Sequence, residues 1–198
     1  MIPRFVLASQ SATRVTLLKN AGLAFSADPA AIDERGIEVP LMAAGRPAGD
    51  IALALAEAKA TDVLNRRAGE VVVGADQVLA IDGGLAHKPA TRGEAAARLA
   101  ELSGRTHQLH TAAVILTDRG PKWDHVDVAH MTVRALTDGE IEAYLETAGE
   151  GVLASVGGYQ IEGPGLQLFD DIQGDYFAIL GLPLLPLLKA LRDLGERS

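Results

Sequence analysis

Residues 71 to 84, VVVGADQVLAIDGG, decide how this chain folds. Three valines in a row suit a buried strand, because β-branched side chains pack well on a pleated surface. The preceding residues 50 to 67, DIALALAEAKATDVLNRR, place apolar groups at helical spacing among strong helix formers, so the period changes abruptly from helix to strand. Asp82-Gly83-Gly84 then supplies a hairpin-like turn, and a second helix is predicted over Arg92 to Leu102. A helix, a buried strand, a turn and a helix in succession imply an α/β chain.

The flanks extend that pattern. RFVLA at 4 to 8 predicts a strand, Ser9 to Thr13 a turn whose hydroxyls can cap a helix from about 12 to 21, and Asn20-Ala21-Gly22 its end. Residues 24 to 49, rich in Pro, Gly, Ala and Asp, predict a strand fragment and then a long loop holding the acidic pair Asp33-Glu34. Strands at 108 to 117 and within WDHVDVAHMTVRAL form a hairpin around Asp118-Arg119-Gly120-Pro121. Thr137 and Glu140 stand at capping-box spacing at the start of a helix reaching Ala148. Beyond the glycine-rich GGYQIEGPG, a strand over LQLFDDIQGD and a final helix through PLLPLLKALRDLGERS close the chain. Interleaved helices and strands with hairpins among them predict a mixed sheet flanked by helices. A length of 198 residues predicts one domain over 1–198, with room for two lobes around a cleft.

Composition narrows the function. Lys+Arg 18 against Asp+Glu 26 leaves a formal charge of -8, which repels phosphate at long range and argues against nucleic-acid or anionic-lipid partners. An aromatic content of 4% also leaves little for base stacking along a strand of nucleic acid. Without cysteine there is no disulfide, thiolate metal site or thiol nucleophile. No apolar run approaches the roughly 18 residues needed to span a bilayer, nor does the start read as a signal peptide, so a cytoplasmic protein is expected.

Four clusters could carry chemistry: Ser9 to Arg14, Lys59, Gly74-Ala75-Asp76-Gln77 with Lys88, and Gly157 to Gly165. Each has an ordinary reading. A serine after a strand is most often a helix cap, and a lysine on an alanine-rich helix is more often solvated than clamped to a ligand. Asp76 weighs evenly between structure and function, because a carboxylate ending a buried strand is costly without a partner and strand ends are where α/β sheets bind ligands. His107 could orient a phosphate but reads first as a structural hydrogen bonder. His87, His110, His125 and His130 lack zinc spacing. If the cations Arg14, Lys59 and Lys88 and the carboxylates Asp76, Glu162 and Asp33-Glu34 share one cleft, they suit a polyphosphate with a divalent metal. Neither a Walker A run nor a dinucleotide fingerprint occurs.

LASQSATRVTLL, AEAKA, VVVGADQVLAIDGGLAHKP, LSGRTHQLHTAAVI, GGYQIEGPG and IQGDYFAILGLPLLPLL, in that order, resemble the successive signatures of the Maf family of nucleotide pyrophosphatases over nearly the whole chain. The resemblance implies a mixed, bent sheet flanked by helices around a deep cleft, as in inosine-triphosphatase-like folds, and a homodimer. It also implies hydrolysis of a nucleoside triphosphate to monophosphate and pyrophosphate with Mg2+ or Mn2+. By position it puts substrate binding on Ser9, Arg14, Lys59 and Lys88, catalysis on Asp76, and metal binding on Glu34 and Asp76. Glu162 falls on either the metal or the base, where a carboxylate would favour a cationic 7-methylguanine.

Two departures mark a subgroup. The family's serine-proline-arginine-arginine run is here Ser11-Ala12-Thr13-Arg14, one basic residue short. Ile161-Glu162-Gly163 and Asp76-Gln77 resemble the members acting on 7-methyl-GTP. The family's link to septum formation leaves an alternative, a nucleotide-binding regulator of cell division without turnover.

Overall fold

The computed structural model describes residues 2 to 196; the expected final helix extends to Arg197 and Ser198, which lie outside the described residues. The sheet is mixed, with seven strands: β1 (Phe5–Leu7), β2 (Phe25–Ala27), β3 (Val72–Ile81), β4 (Gly84–Ala86), β5 (Thr106–Thr117), β6 (Gly120–Val133) and β7 (Phe169–Gln173). Their order is β2-β1-β3-β5-β6-β7, with β4 beside β3. The chain divides into two compact units, and β3, β5 and β6 each contribute a part to both.

Among the described residues the first unit comprises 2–77, 110–128 and 175–196. β1 lies parallel to both neighbours, with Phe5 opposite Phe25 and Leu7 opposite Val73. Its helices are α1 (Ala12–Asn20), α2 (Glu34–Ala43), α3 (Ala48–Arg66), the short α6 (Tyr176–Ile179) and α7 (Leu184–Glu196). Leu17 and Leu18 of α1, Leu187 and Leu191 of α7, and Phe5, Leu7, Val73, Ala113 and Ile115 of the strands form its core. Ser11 caps α1 by accepting from the Arg14 N–H, and Gly22 follows its end at φ +71°, the left-handed conformation that glycine adopts without strain.

One expectation fails in this unit. The stretch after β2 is not a long loop: Asp33 accepts from the Gly36 N–H at 3.0 Å and caps α2. Pro40 sits inside that helix and removes one of its hydrogen bonds, a loss offset by packing of α2 on α3.

The second unit, residues 78–109 and 129–174, holds α4 (Arg92–Leu102) and α5 (Asp138–Ala148) packed together. Asp82 and Gly83, both at positive φ, make the expected tight turn into β4. Thr137 and Glu140 form the full capping box of α5. The expected strand at 166 to 175 is shortened: Pro164–Leu168 winds as a 3₁₀ turn, and pairing with β6 begins only at Phe169. Proline at the start and glycine beside it favour the turn over an extended chain.

Candidate active site

The geometry begins with a close approach of helix to strand. A Cβ on Gly74 would run into the Ala56 carbonyl and the Ala60 methyl group, so only glycine lets β3 lie this near α3. Small residues at 56 and 60 serve the same contact, and Lys59, one residue before Ala60, is carried to Asp76 two residues past Gly74. Lys59 Nζ donates to Asp76 Oδ1 and pairs with Glu34 Oε1 at 2.7 Å. Glu34 reaches it from the first turn of α2.

Asp76 is buried, which raises its pKa from the ordinary carboxylate range; the Lys59 and Arg14 charges and the Lys59 hydrogen bond oppose that rise, and the Glu34 charge adds to it. Glu38, one helical turn beyond Glu34, is buried as well and paired at 3.7 Å with Arg35. Its pKa is raised by burial, with Arg35 and Lys59 opposing and the Asp76 and Glu34 charges adding. Three carboxylates thus share the field of one ammonium. Sequence reasoning missed Glu38, although its spacing of four from Glu34 behind the Asp33 cap was the available signal.

Ser9 follows β1, and the parallel register sets it beside Ala75 of β3; that strand runs on past Asp76 to Ile81, so Asp76 lies within it and not at the expected strand end. The Ala8 N–H donates to the Val73 carbonyl at 2.8 Å. Ser9 Oγ accepts from the Ser11 N–H and from Arg14 Nη1, both at 3.2 Å, so it braces the turn while Ser11 does the capping. Arg14 is only 8% exposed. Its Nε donates to the Gly181 carbonyl at 2.7 Å and its Nη1 to the Ala75 carbonyl at 2.9 Å. Burial lowers its pKa while the Asp76 and Glu34 charges hold it up.

Gln77, read from sequence as a subgroup mark, has a structural task. Its Nε2 lies 3.0 Å from the Ala178 carbonyl, 3.1 Å from that of Ile179 and 2.8 Å from Thr111 Oγ1, and Thr111 donates to Ala178 at 2.9 Å. These side chains bind carbonyls at the end of the short α6, where Ala178 also accepts from the Gly181 N–H at 2.8 Å.

Five of the seven expected site residues, Ser9, Arg14, Glu34, Lys59 and Asp76, therefore gather within the first unit. Lys88 and Glu162 belong to the second unit. Lys88 is exposed two residues after β4, and Glu162 is exposed beside buried Ile161. His107 is buried in the same unit against Tyr159, as a structural hydrogen bonder would be, and has no surface to offer a phosphate.

Fold and cluster together describe an α/β protein with a buried carboxylate on β3 paired to an ammonium from α3, a frame suited to handling an anionic substrate. The model of the Maf-like protein family matches residues 4–194, and the chain belongs to that family. It is 53% identical to the 7-methyl-GTP pyrophosphatase of Rhizobium meliloti (strain 1021) over 195 residues, 98% of each chain. Identity to the 7-methyl-GTP pyrophosphatase of Brucella abortus biovar 1 (strain 9-941) is 50%, covering 97% of this chain and 96% of that one. The nucleoside triphosphate pyrophosphatase of Nitrobacter winogradskyi (strain ATCC 25391 / DSM 10237 / CIP 104748 / NCIMB 11846 / Nb-255) is 52% identical, over 95% and 92% of the two chains.

Proposed function

We propose that this protein is a nucleoside triphosphate pyrophosphatase acting on 7-methyl-GTP. Water attacks the α-phosphorus, the bond to the bridging oxygen of the β-phosphate breaks, and monophosphate and pyrophosphate leave. The observation that carries the reading is Asp76, a carboxylate buried within β3 and held by a single ammonium group. Desolvation makes it a stronger base than a surface carboxylate, and it accepts the proton of the attacking water.

Lys59 has two parts to play. In the free protein its charge offsets the burial of Asp76. When Lys59 turns to a phosphoryl oxygen, Asp76 loses part of that compensation, and its basicity rises as the substrate is seated. The cation then stabilises charge developing on the departing pyrophosphate. Ser9 offers its hydroxyl to the same phosphate chain. The roles of Lys88 on phosphate and of Glu162 on the base or the metal rest on family membership.

A divalent metal fits the donors present. Among the described residues no three His, Cys, Asp or Glu side chains form a metal cluster, but Asp76 and Glu34 meet at one ammonium. Magnesium uses such a pair, filling its other positions with water and substrate phosphate. Glu34 and Asp76 would hold the ion, which supplies positive charge to the phosphoryl oxygens.

The test is a panel of nucleoside triphosphates with Mg2+ or Mn2+, assayed for monophosphate and pyrophosphate in 18O-labelled water. Turnover of 7-methyl-GTP with label in the monophosphate is expected. Tight binding without product would favour the regulatory alternative, and label in pyrophosphate would move the attack off the α-phosphorus. Homodimer formation is proposed from the family resemblance and is checked by sedimentation. Among the described residues no helix is long and apolar enough to cross a membrane.

A further inference from the structure

Arg14 has been given a place among the phosphate ligands by family resemblance. Its bonds assign it elsewhere. It sits in the first turn of α1, where helical side chains lean back toward the N-terminus, and this sends the guanidinium under the turn and across β3. Three hydrogen bonds then fix it: one to Ser9 Oγ, one to the Ala75 carbonyl beside Asp76, and one to the Gly181 carbonyl 167 residues along the chain. From the adjoining residue of β3, Gln77 bonds the Ala178 and Ile179 carbonyls of the same short segment. The two residues flanking Asp76 are thus both tied to residues 178–181, one through its carbonyl and Arg14, the other through its own side chain.

Resting on the pyrophosphatase reading, we propose that Arg14 is a positioning residue: with Gln77 it clamps the 175–181 segment onto β3 and so fixes the direction of the Asp76 carboxylate, rather than serving as a ligand of the phosphate chain. A planar guanidinium reaches two carbonyls and a hydroxyl from two separate nitrogens in fixed directions, whereas the three donors of a lysine all radiate from one nitrogen. The clamp also accounts for the single basic residue in Ser11-Ala12-Thr13-Arg14, since its fork serves the protein and phosphate charge falls to the lysines.

The experiment compares Arg14→Lys and Gln77→Ala with the parent by steady-state kinetics on 7-methyl-GTP and by amide hydrogen exchange. The amides that report are those of Ile179, Leu180, Gly181 and Leu182, each bonded within the segment. Loosening the clamp should speed their exchange by about tenfold in either variant. It should lower kcat by about tenfold or more while KM stays within about threefold, the signature of a displaced catalytic group rather than lost binding. The double variant should fall short of the product of the single effects, because both act through one segment.

A KM raised about tenfold with kcat retained in Arg14→Lys would overturn the proposal, since a retained charge at a longer reach would then be binding substrate. Unchanged exchange at those amides in both variants would overturn it as well. Should Arg14→Lys fail to fold, Gln77→Ala reads the same clamp from the other side. If the parent turns over no nucleotide, the pyrophosphatase reading fails by itself, and the exchange data still decide whether the two side chains hold the segment.

Discussion

Both units bury a titratable side chain on a central strand, and they treat its charge in opposite ways. In the first, Asp76 is surrounded by charges: Lys59, Arg14 and Glu34 all act on its pKa. In the second, His107 of β5 is 1% exposed with Nε2 at 2.6 Å from Tyr159 Oη, and the Tyr159 and Phe169 rings pack beside it. Burial and the Arg98 charge push His107 down to about 4, and burial pushes Tyr159 up, so both stay neutral at pH 7. A protein that only needs to fill space uses the neutral solution, because a buried ion pair seldom repays its desolvation. Burying an ionisable carboxylate among charges costs stability, and that cost points to chemistry at Asp76.

Breaking the charged side should have the larger effect. Asp76→Asn keeps the shape and removes the base, so turnover should fall on the order of a thousandfold. Nucleotide affinity should stay within about tenfold, since the cations remain. The parent should lose activity as pH falls through the raised pKa of Asp76, because the base works only when unprotonated. Near-normal turnover in Asp76→Asn, measured as pyrophosphate release, would remove Asp76 from its role.

The neutral side should break as stability rather than activity. His107 has its folded pKa depressed to about 4 from 6.5, so between those values the unfolded chain binds the extra proton. Its contribution is therefore complete above 6.5 and is lost as pH falls toward 4, a change of about 3 kcal/mol at 1.36 kcal/mol per pKa unit. Chemical denaturation at pH 7 and pH 4.5 should show that loss in the parent and a smaller one in His107→Gln. An equal loss in the variant would put the acid sensitivity elsewhere.

How far the sequence disclosed these regions follows from the range of the signals. Asp76 was legible because a carboxylate after three valines is anomalous within six residues. The α4 span and the α5 capping box were legible for the same local reason. α2 was hidden because Gly36, Pro40 and Gly45 outweighed the Asp33 cap, and only packing on α3 makes that helix worthwhile. The 3₁₀ turn at 164–168 was hidden by an apolar run that reads equally well as strand. Arg14 shows the deeper limit. Its partner carbonyls lie 61 and 167 residues away, and a backbone carbonyl leaves no mark on residue identity. Gln77 was noticed for its identity, and its bonds to carbonyls 101 and 102 residues away were hidden for the same cause.

Glu140 carries a large pKa shift of a different origin. Its carboxylate is held down to about 2 by the Thr137 N–H at 2.8 Å, by the Thr137 hydroxyl at 2.8 Å and by Arg134, all on an exposed helix end. A large shift thus arises from a capping motif in which no charge is buried. What separates Asp76 is desolvation acting against nearby charges, not displacement as such. Thr137→Ala deletes the hydroxyl that both accepts from the Glu140 N–H and donates to its carboxylate. Losing that cap should cost about 1 kcal/mol in a denaturant titration and let the Glu140 carboxyl resonance titrate at higher pH, with the backbone N–H still holding it below the ordinary range. Pyrophosphate release should be unaltered. A variant that lost turnover along with the cap would show that the start of α5 is coupled to catalysis, and the division between charged chemistry and neutral scaffolding would have to be redrawn around it.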